Sequence, residues 1–160
     1  MNKMMKLGMA VWLFALSVAT TFAAAHSPVG HWRAIDDVTG KPKAIVNITE
    51  TADHQLVGRI LQIFPGPGHT VNEVCKKCSG ERRNQRIVGM IILEKFKANK
   101  VNDNAWRNGE ILDPRSGKVY QSTIKLIESG QKLDVRGYIG MPLFGRSQTW
   151  ERLSGPELSN

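Results

Sequence analysis

The sequence predicts an all-β protein, an eight-stranded antiparallel up-and-down barrel. Three observations carry this. No stretch after residue 25 keeps a 3.6-residue apolar period. β-Branched and aromatic residues instead recur in short runs between turn clusters. The turn segments DVTGKPK, DPRSGK and ESGQ are too short for crossovers, so the strands they join are antiparallel neighbours. Closing such a series into a barrel removes the open edges that a flat sheet would expose. A two-sheet sandwich is the alternative packing of the same strands.

In chain order the runs are HWRAID (31–36), AIVNIT (44–49), QLVGRILQIF (55–64), RIVGMIILEKF (86–96), AWRNGEIL (105–112), KVYQSTIKLIE (118–128), KLDVRGYIG (132–140) and RSQTWERL (146–153). The sixth and seventh alternate cleanly. Tyr120, Ser122, Ile124 and Leu126 share one face, as do Leu133, Val135, Gly137 and Ile139. The fourth does not alternate: Ile87, Val88, Met90, Ile91, Ile92 and Leu93 make it apolar on both faces, so the long loop before it is expected to cover its outer side. In the eighth, period two groups Arg146, Gln148, Trp150 and Arg152 against Ser147, Thr149, Glu151 and Leu153. If Trp150 points inward, the arginines follow it and the interior is partly cationic; if it packs outside, Leu153 and small residues line that wall. The pattern alone leaves both open.

Residues 1–25 stand apart from this domain. Lys3 and Lys6 precede the apolar run LGMAVWLFALSVA, and Ala23 and Ala25 supply the small residues of a cleavage site before His26. The expectation is a cleaved signal peptide (1–25), one barrel domain (26–153) and a flexible tail (154–160). The product is then periplasmic or secreted and does not span a membrane; with no cysteine near the cut, it is not a lipoprotein. Loss of Lys3 and Lys6 lowers the formal charge from +8 to +6. Outside the cytoplasm a basic surface favours phosphate-bearing lipids, glycans or acidic proteins, not nucleic acid.

Cys75 and Cys78 lie in the connection from Phe64 to Arg86, within VCKKCSGERRNQRIVGM. An even cysteine count in an oxidising compartment predicts a disulfide. So small a ring restrains the unfolded chain by only about 2 kcal/mol, enough to staple a turn. Lys76, Lys77, Arg82, Arg83 and Arg86 would lower a thiolate pKa, which keeps a thiol–disulfide redox role as an alternative, but no βαβ unit surrounds the pair. His69 is the nearest further ligand and no fourth stands out, so no metal is expected. His26, at the new N-terminus, lacks a second well-placed histidine for copper; His31 and His54 read as ordinary strand and turn residues.

Taken together, SPVGHWRAIDDVTGKPKAIVNI, CKKCSGERRNQRIVGMIIL, GEILDPRSGKVY and LDVRGYIGMPLFGRSQTW resemble the exported bacterial proteins grouped as domain of unknown function 2147, over residues 27–152. The resemblance implies a small lipocalin-like barrel behind a signal peptide and brings no substrate or catalytic residue. GHW (30–32) is also similar to the G-x-W of lipocalins proper, with Arg152 on the last strand where a lipocalin arginine packs over that tryptophan; Trp32 and Arg152 are therefore expected to close one barrel end. SGKVY (116–120) fits the S-G-x-x-Y element of periplasmic inhibitors of C-type lysozyme, but Ser116 and Gly117 also complete the DPRSGK turn.

These readings favour a monomeric binding protein over an enzyme. No nucleophile–base spacing, carboxylate pair or phosphate-cradling loop stands out, and no cofactor is implied. Asp36 and Asp37 read as turn formers. The candidate ligand site is the barrel end at IGMPLFGR: Met141, Leu143 and Phe144 as apolar contacts, Arg136, Tyr138 and Arg146 as donors, with Trp32 and Trp150 as further candidates. Its ligand would be small, amphipathic or anionic. The same loop folded inward as a plug is the alternative. A protein partner in the envelope, bound through the basic cysteine loop or the two-sided apolar strand, is the second reading.

Overall fold

The computed structural model describes residues 26–155; the signal-peptide expectation and most of the tail expectation lie outside them. Eight strands, β1 (Gly30–Ile35), β2 (Pro42–Glu50), β3 (Gln55–Ile63), β4 (Ile91–Asn99), β5 (Asn102–Asp113), β6 (Lys118–Ile127), β7 (Lys132–Tyr138) and β8 (Arg146–Arg152), form a closed barrel in sequence order. Every neighbouring pair is antiparallel, and β1 closes on β8 through Trp32–Arg152, Arg33–Glu151 and Ala34–Trp150. Seven strands begin and end within a few residues of the sequence reading. Among the described residues no helix is long and apolar enough to cross a membrane.

The fourth strand departs from its expectation. Residues 86–90 are not strand: Gly89 sits at φ 94°, and the chain turns there, Met90 N–H donating to the Ile87 carbonyl. The apolar character on both faces has a different origin from an outer cover. A register shift between Gly58 and Arg59 opposes Ile91–Leu93, the signature of a bulge, and leaves the consecutive residues Ile92 and Leu93 both buried toward the core. Leu93 lies across Gly58, where a Cβ would stand 2.7 Å from its Cδ1. Ile139 also differs: β7 ends at Tyr138 and the side chain is exposed.

Cys75 and Cys78 are joined by a disulfide, and both are buried in the same apolar cluster as Ile87 and Met90. The loop is pinned on several sides. Val74 bridges Arg86, Cys75 N–H donates to Gln85 O at 2.9 Å, and the Arg82 guanidinium pairs with Glu94 on β4. Burial shields a disulfide from thiolate attack, which favours the staple reading over exchange chemistry. Replacing both cysteines by alanine is expected to leave the barrel folded and to lower unfolding stability by about 2 kcal/mol through the lost ring, read as a shifted denaturant midpoint.

Candidate functional site

In an up-and-down barrel, connections that follow odd strands gather at one end and those that follow even strands at the other. The two ends here are built differently.

The even end is sealed. Trp32 on β1 is fully buried, its indole N–H donating to the Pro28 carbonyl at 2.8 Å. Arg152 on β8 stacks over that indole, 4.2 Å from the ring centroid. Its guanidinium donates to the Gly130 carbonyl (2.6 Å), to Ser27 O (2.6 Å) and to Val29 O (3.1 Å), tying the β6–β7 turn and the segment before β1 across the base. Burial pulls the Arg152 pKa below the usual arginine value, yet three carbonyls and a π face replace the lost water. Phe96, Leu133 and Ile124 fill the space above. Gly109 is required there, because a Cβ would overlap the Phe96 ring.

The odd end opens into a cavity of about 370 Å³. Trp150 forms part of its lining, which settles the orientation of β8: the indole points inward, and Gln148 and Arg146 follow it up the same wall. Lower walls are apolar, from Ala34, Ala44, Val46, Ile60, Ile92 and Val135. Gly137 and the short side chains of Ala34 and Ala44 keep this half hollow. Larger residues there would fill the lumen, as they do at the base.

Polar groups line the rim, and their partners sort them. Asp36 accepts from the Thr39 backbone N–H (2.8 Å), the Thr39 hydroxyl (2.9 Å) and Val38 N–H; the Thr39 amide is the main reason that its carboxyl is held below the usual carboxylate range. Asp37 pairs with Arg146. Glu73 takes the His69 ring, and Asp113 takes the Ser116 hydroxyl at 2.6 Å and Arg115 N–H at 3.1 Å. All four acids are thus engaged by the protein itself. The Lys43 ammonium, the Arg115 guanidinium and the Tyr120 hydroxyl line the same cavity and make no hydrogen bond or ion pair among the described residues. Gln148 meets only the Trp150 indole, at 3.4 Å. Lys43 acts on the Asp36 carboxyl through its charge alone, so the donors that make no hydrogen bond or ion pair are mainly cationic, even though acids outnumber cations on the rim.

The residues singled out from the sequence divide accordingly. Arg146 and Trp150 line the cavity, while Trp32 belongs to the sealed base with Arg152. Arg136 lies on the outer face of β7. There it donates to Pro142 O (2.8 Å), Ser147 Oγ (3.1 Å) and Leu143 O (3.3 Å), bracing the β7–β8 loop. Tyr138 follows Arg136 at period two and does not line the cavity. Met141, Leu143 and Phe144 are exposed outside it, so the loop is no plug. Lys43, Arg115 and Tyr120 were not singled out. The available signal was topological: each lies at an odd-strand connection or one turn down the wall from it. Among the described residues no cluster of three or more His, Cys, Asp or Glu is placed to hold a metal ion.

The barrel is similar to the solved structure of protein HP1028 from Helicobacter pylori, described as belonging to the lipocalin family, with a TM-score of 0.68 over 82% of this chain and 86% of that chain at 20% sequence identity. Likeness at that identity concerns the fold. No curated protein matches the chain. Residues 30–152 match the family described as an uncharacterized protein conserved in bacteria, domain of unknown function 2147, and the chain belongs to that family.

Proposed function

We propose that the chain is an exported, non-enzymatic binding protein of the cell envelope, periplasmic or secreted, whose barrel holds one small amphipathic ligand with an anionic head. One observation carries the reading: a hollow, apolar-walled half-barrel opens at a rim where every acid is engaged by a hydrogen bond or ion pair of the protein, while Lys43 and Arg115 make neither with their side chains and Lys43 acts on Asp36 only through its charge. The volume, about 370 Å³, lies near the lower end of the roughly 300–1,000 Å³ of small-molecule sites, which favours a short acyl or single-ring compound. The apolar tail would pack on Trp150, Val46 and Ile60. The head would accept from the Lys43 ammonium, the Arg115 fork, the Tyr120 hydroxyl and the Gln148 amide. The lipocalin description of the Helicobacter pylori neighbour accords with a ligand in the lumen.

Native mass spectrometry of protein purified from its own envelope tests the reading: a retained small anion supports it, and uniformly empty protein overturns it. Titration with decanoate, followed through indole fluorescence, tests the site. Lys43→Glu with Arg115→Glu is expected to weaken decanoate about tenfold or more, from the loss of two charge-assisted contacts at a half-wet rim, and to leave decanol unaffected. Equal affinity of the double variant for decanoate would exclude the rim as the head-group site.

A further inference from the structure

The loop between β7 and β8 presents a feature that the cavity does not use. Ile139, Met141, Leu143 and Phe144 are 72%, 58%, 77% and 77% exposed within one short segment, a contiguous apolar patch of the kind that marks an interaction surface. The segment is also held firmly. A 3₁₀ turn at Pro142–Phe144 carries Phe144 N–H to Met141 O and Gly145 N–H to Pro142 O, and Arg136 clamps two of its carbonyls from β7. Gly145 fits so closely against β7 that a Cβ would stand 2.8 Å from the Gly137 carbonyl. The apolar side chains are thus a braced convex knob. Beside it, joined through the Arg146–Asp37 pair, the β1–β2 turn exposes Val38 to 74%.

Charge is polarised along the barrel in the same sense. The connections at this end (36–41, 64–90, 114–117 and 139–145) hold seven Lys or Arg against four Asp or Glu; those at the sealed end (51–54, 100–101 and 128–131) hold one Lys against two acids. Lys41, Lys76, Lys77, Arg83 and Arg115 are exposed and form no ion pair among the described residues.

We infer that the open end of the barrel docks on an anionic phospholipid bilayer, with Leu143 and Phe144 entering the headgroup–acyl boundary, Ile139, Met141 and Val38 at its edge, and the lysines and arginines over the phosphates. An acidic protein would satisfy the charge but needs a pocket for the knob. A second copy repels the basic ring and would bring two convex knobs together. A fluid apolar layer under a negative surface accepts both features without a complementary shape. This stands apart from the cavity reading: an empty barrel would dock in the same way, although docking would set the cavity mouth against the lipid.

The test uses the chain from His26 onward, since the eight strands and the core cluster described lie within it and residues 1–25 carry an apolar run of their own in the sequence. Co-sedimentation is measured with vesicles of phosphatidylglycerol in phosphatidylcholine and with phosphatidylcholine alone. Wild type is expected to partition onto the anionic vesicles, less in high salt and least on neutral ones. Leu143→Asp with Phe144→Asp is expected to reduce partition roughly a hundredfold, and Lys76→Glu with Lys77→Glu roughly tenfold, with near-ultraviolet circular dichroism unchanged. Phe144→Ala, a milder change, is expected to give an intermediate loss. Wild type that remains in the supernatant, or a knob variant that partitions like wild type, overturns the inference. So does a self-associated species in sedimentation velocity that the knob variant dissolves without any wild-type partition, which would give the surface to a second copy.

Discussion

Replacing Arg152 by alanine is expected to lower unfolding stability by about 3–4 kcal/mol and the melting temperature by about 10 °C. The substitution removes the cation 4.2 Å above the Trp32 ring and leaves the carbonyls of Gly130, Ser27 and Val29 without their donor at a partly buried base. A charge-assisted hydrogen bond contributes about 1.5–3 kcal/mol when water is scarce. Solvent reaches part of this guanidinium, so the sum of three is discounted. Arg152→Lys keeps the charge but not the planar fork, cannot reach three carbonyls at once, and is expected to recover less than half of the loss. A double-mutant cycle with Trp32→Phe isolates the ring contact, with a coupling of about 1 kcal/mol. Equal stability of Arg152→Ala and wild type in guanidinium melts would mean that the base is held by Trp32 packing alone.

The second large effect is expected at Gly117. This residue sits at φ 71°, and a Cβ there would overlap the Lys77 carbonyl and stand 2.8 Å from Cys78 N. The β5–β6 turn is thus the surface on which the disulfide loop rests, and the contact is backbone on backbone, with no flexible side chain to yield. Gly117→Ala is expected to destabilise by about 3–4 kcal/mol: about 1–2 from left-handed strain and the rest from lifting the loop. Gly40→Ala is the matched control, because its φ is 68° and nothing stands within 4 Å of the added Cβ; about 1 kcal/mol is expected there. Two equal losses in chemical denaturation would show that only strain acts. The structure thereby strengthens the ordinary account of the S-G-x-x-Y resemblance. Gly117 is glycine because the cysteine loop leaves no room for more, and Ser116 serves Asp113.

Much of this architecture was legible in the chain. Period-two alternation in 118–128 and 132–140 put Tyr120, Ser122, Ile124 and Leu126 on one face of their strand and Leu133, Val135, Gly137 and Ile139 on one face of theirs; the structure buries five of these eight, leaves Tyr120 and Gly137 half-buried toward the cavity, and exposes Ile139 beyond the end of β7. GHW with Arg152 identified the sealed base, and two cysteines three apart identified the staple. These features are local or depend on one pair of residue types, so spacing carries them. Where the chain leaves regular pairing, spacing fails. A bulge beside Ile92 puts two consecutive side chains inward, and no residue pattern distinguishes that from a strand apolar on both faces.

What the sequence by itself determined is the partition of side chains into alternate sets, the turns between them, and hence an antiparallel series that the structure closes into a barrel rather than a sandwich. What only the tertiary structure decided is the sign and the filling of those sets: Trp150 inward with Arg146 above it, a lumen hollow at one end, four rim acids satisfied within the protein, and an apolar loop facing out rather than in. The reason is physical. Periodicity follows from the backbone of one strand, whereas the direction a face takes, and the volume left between walls, depend on how side chains from eight strands share a single interior.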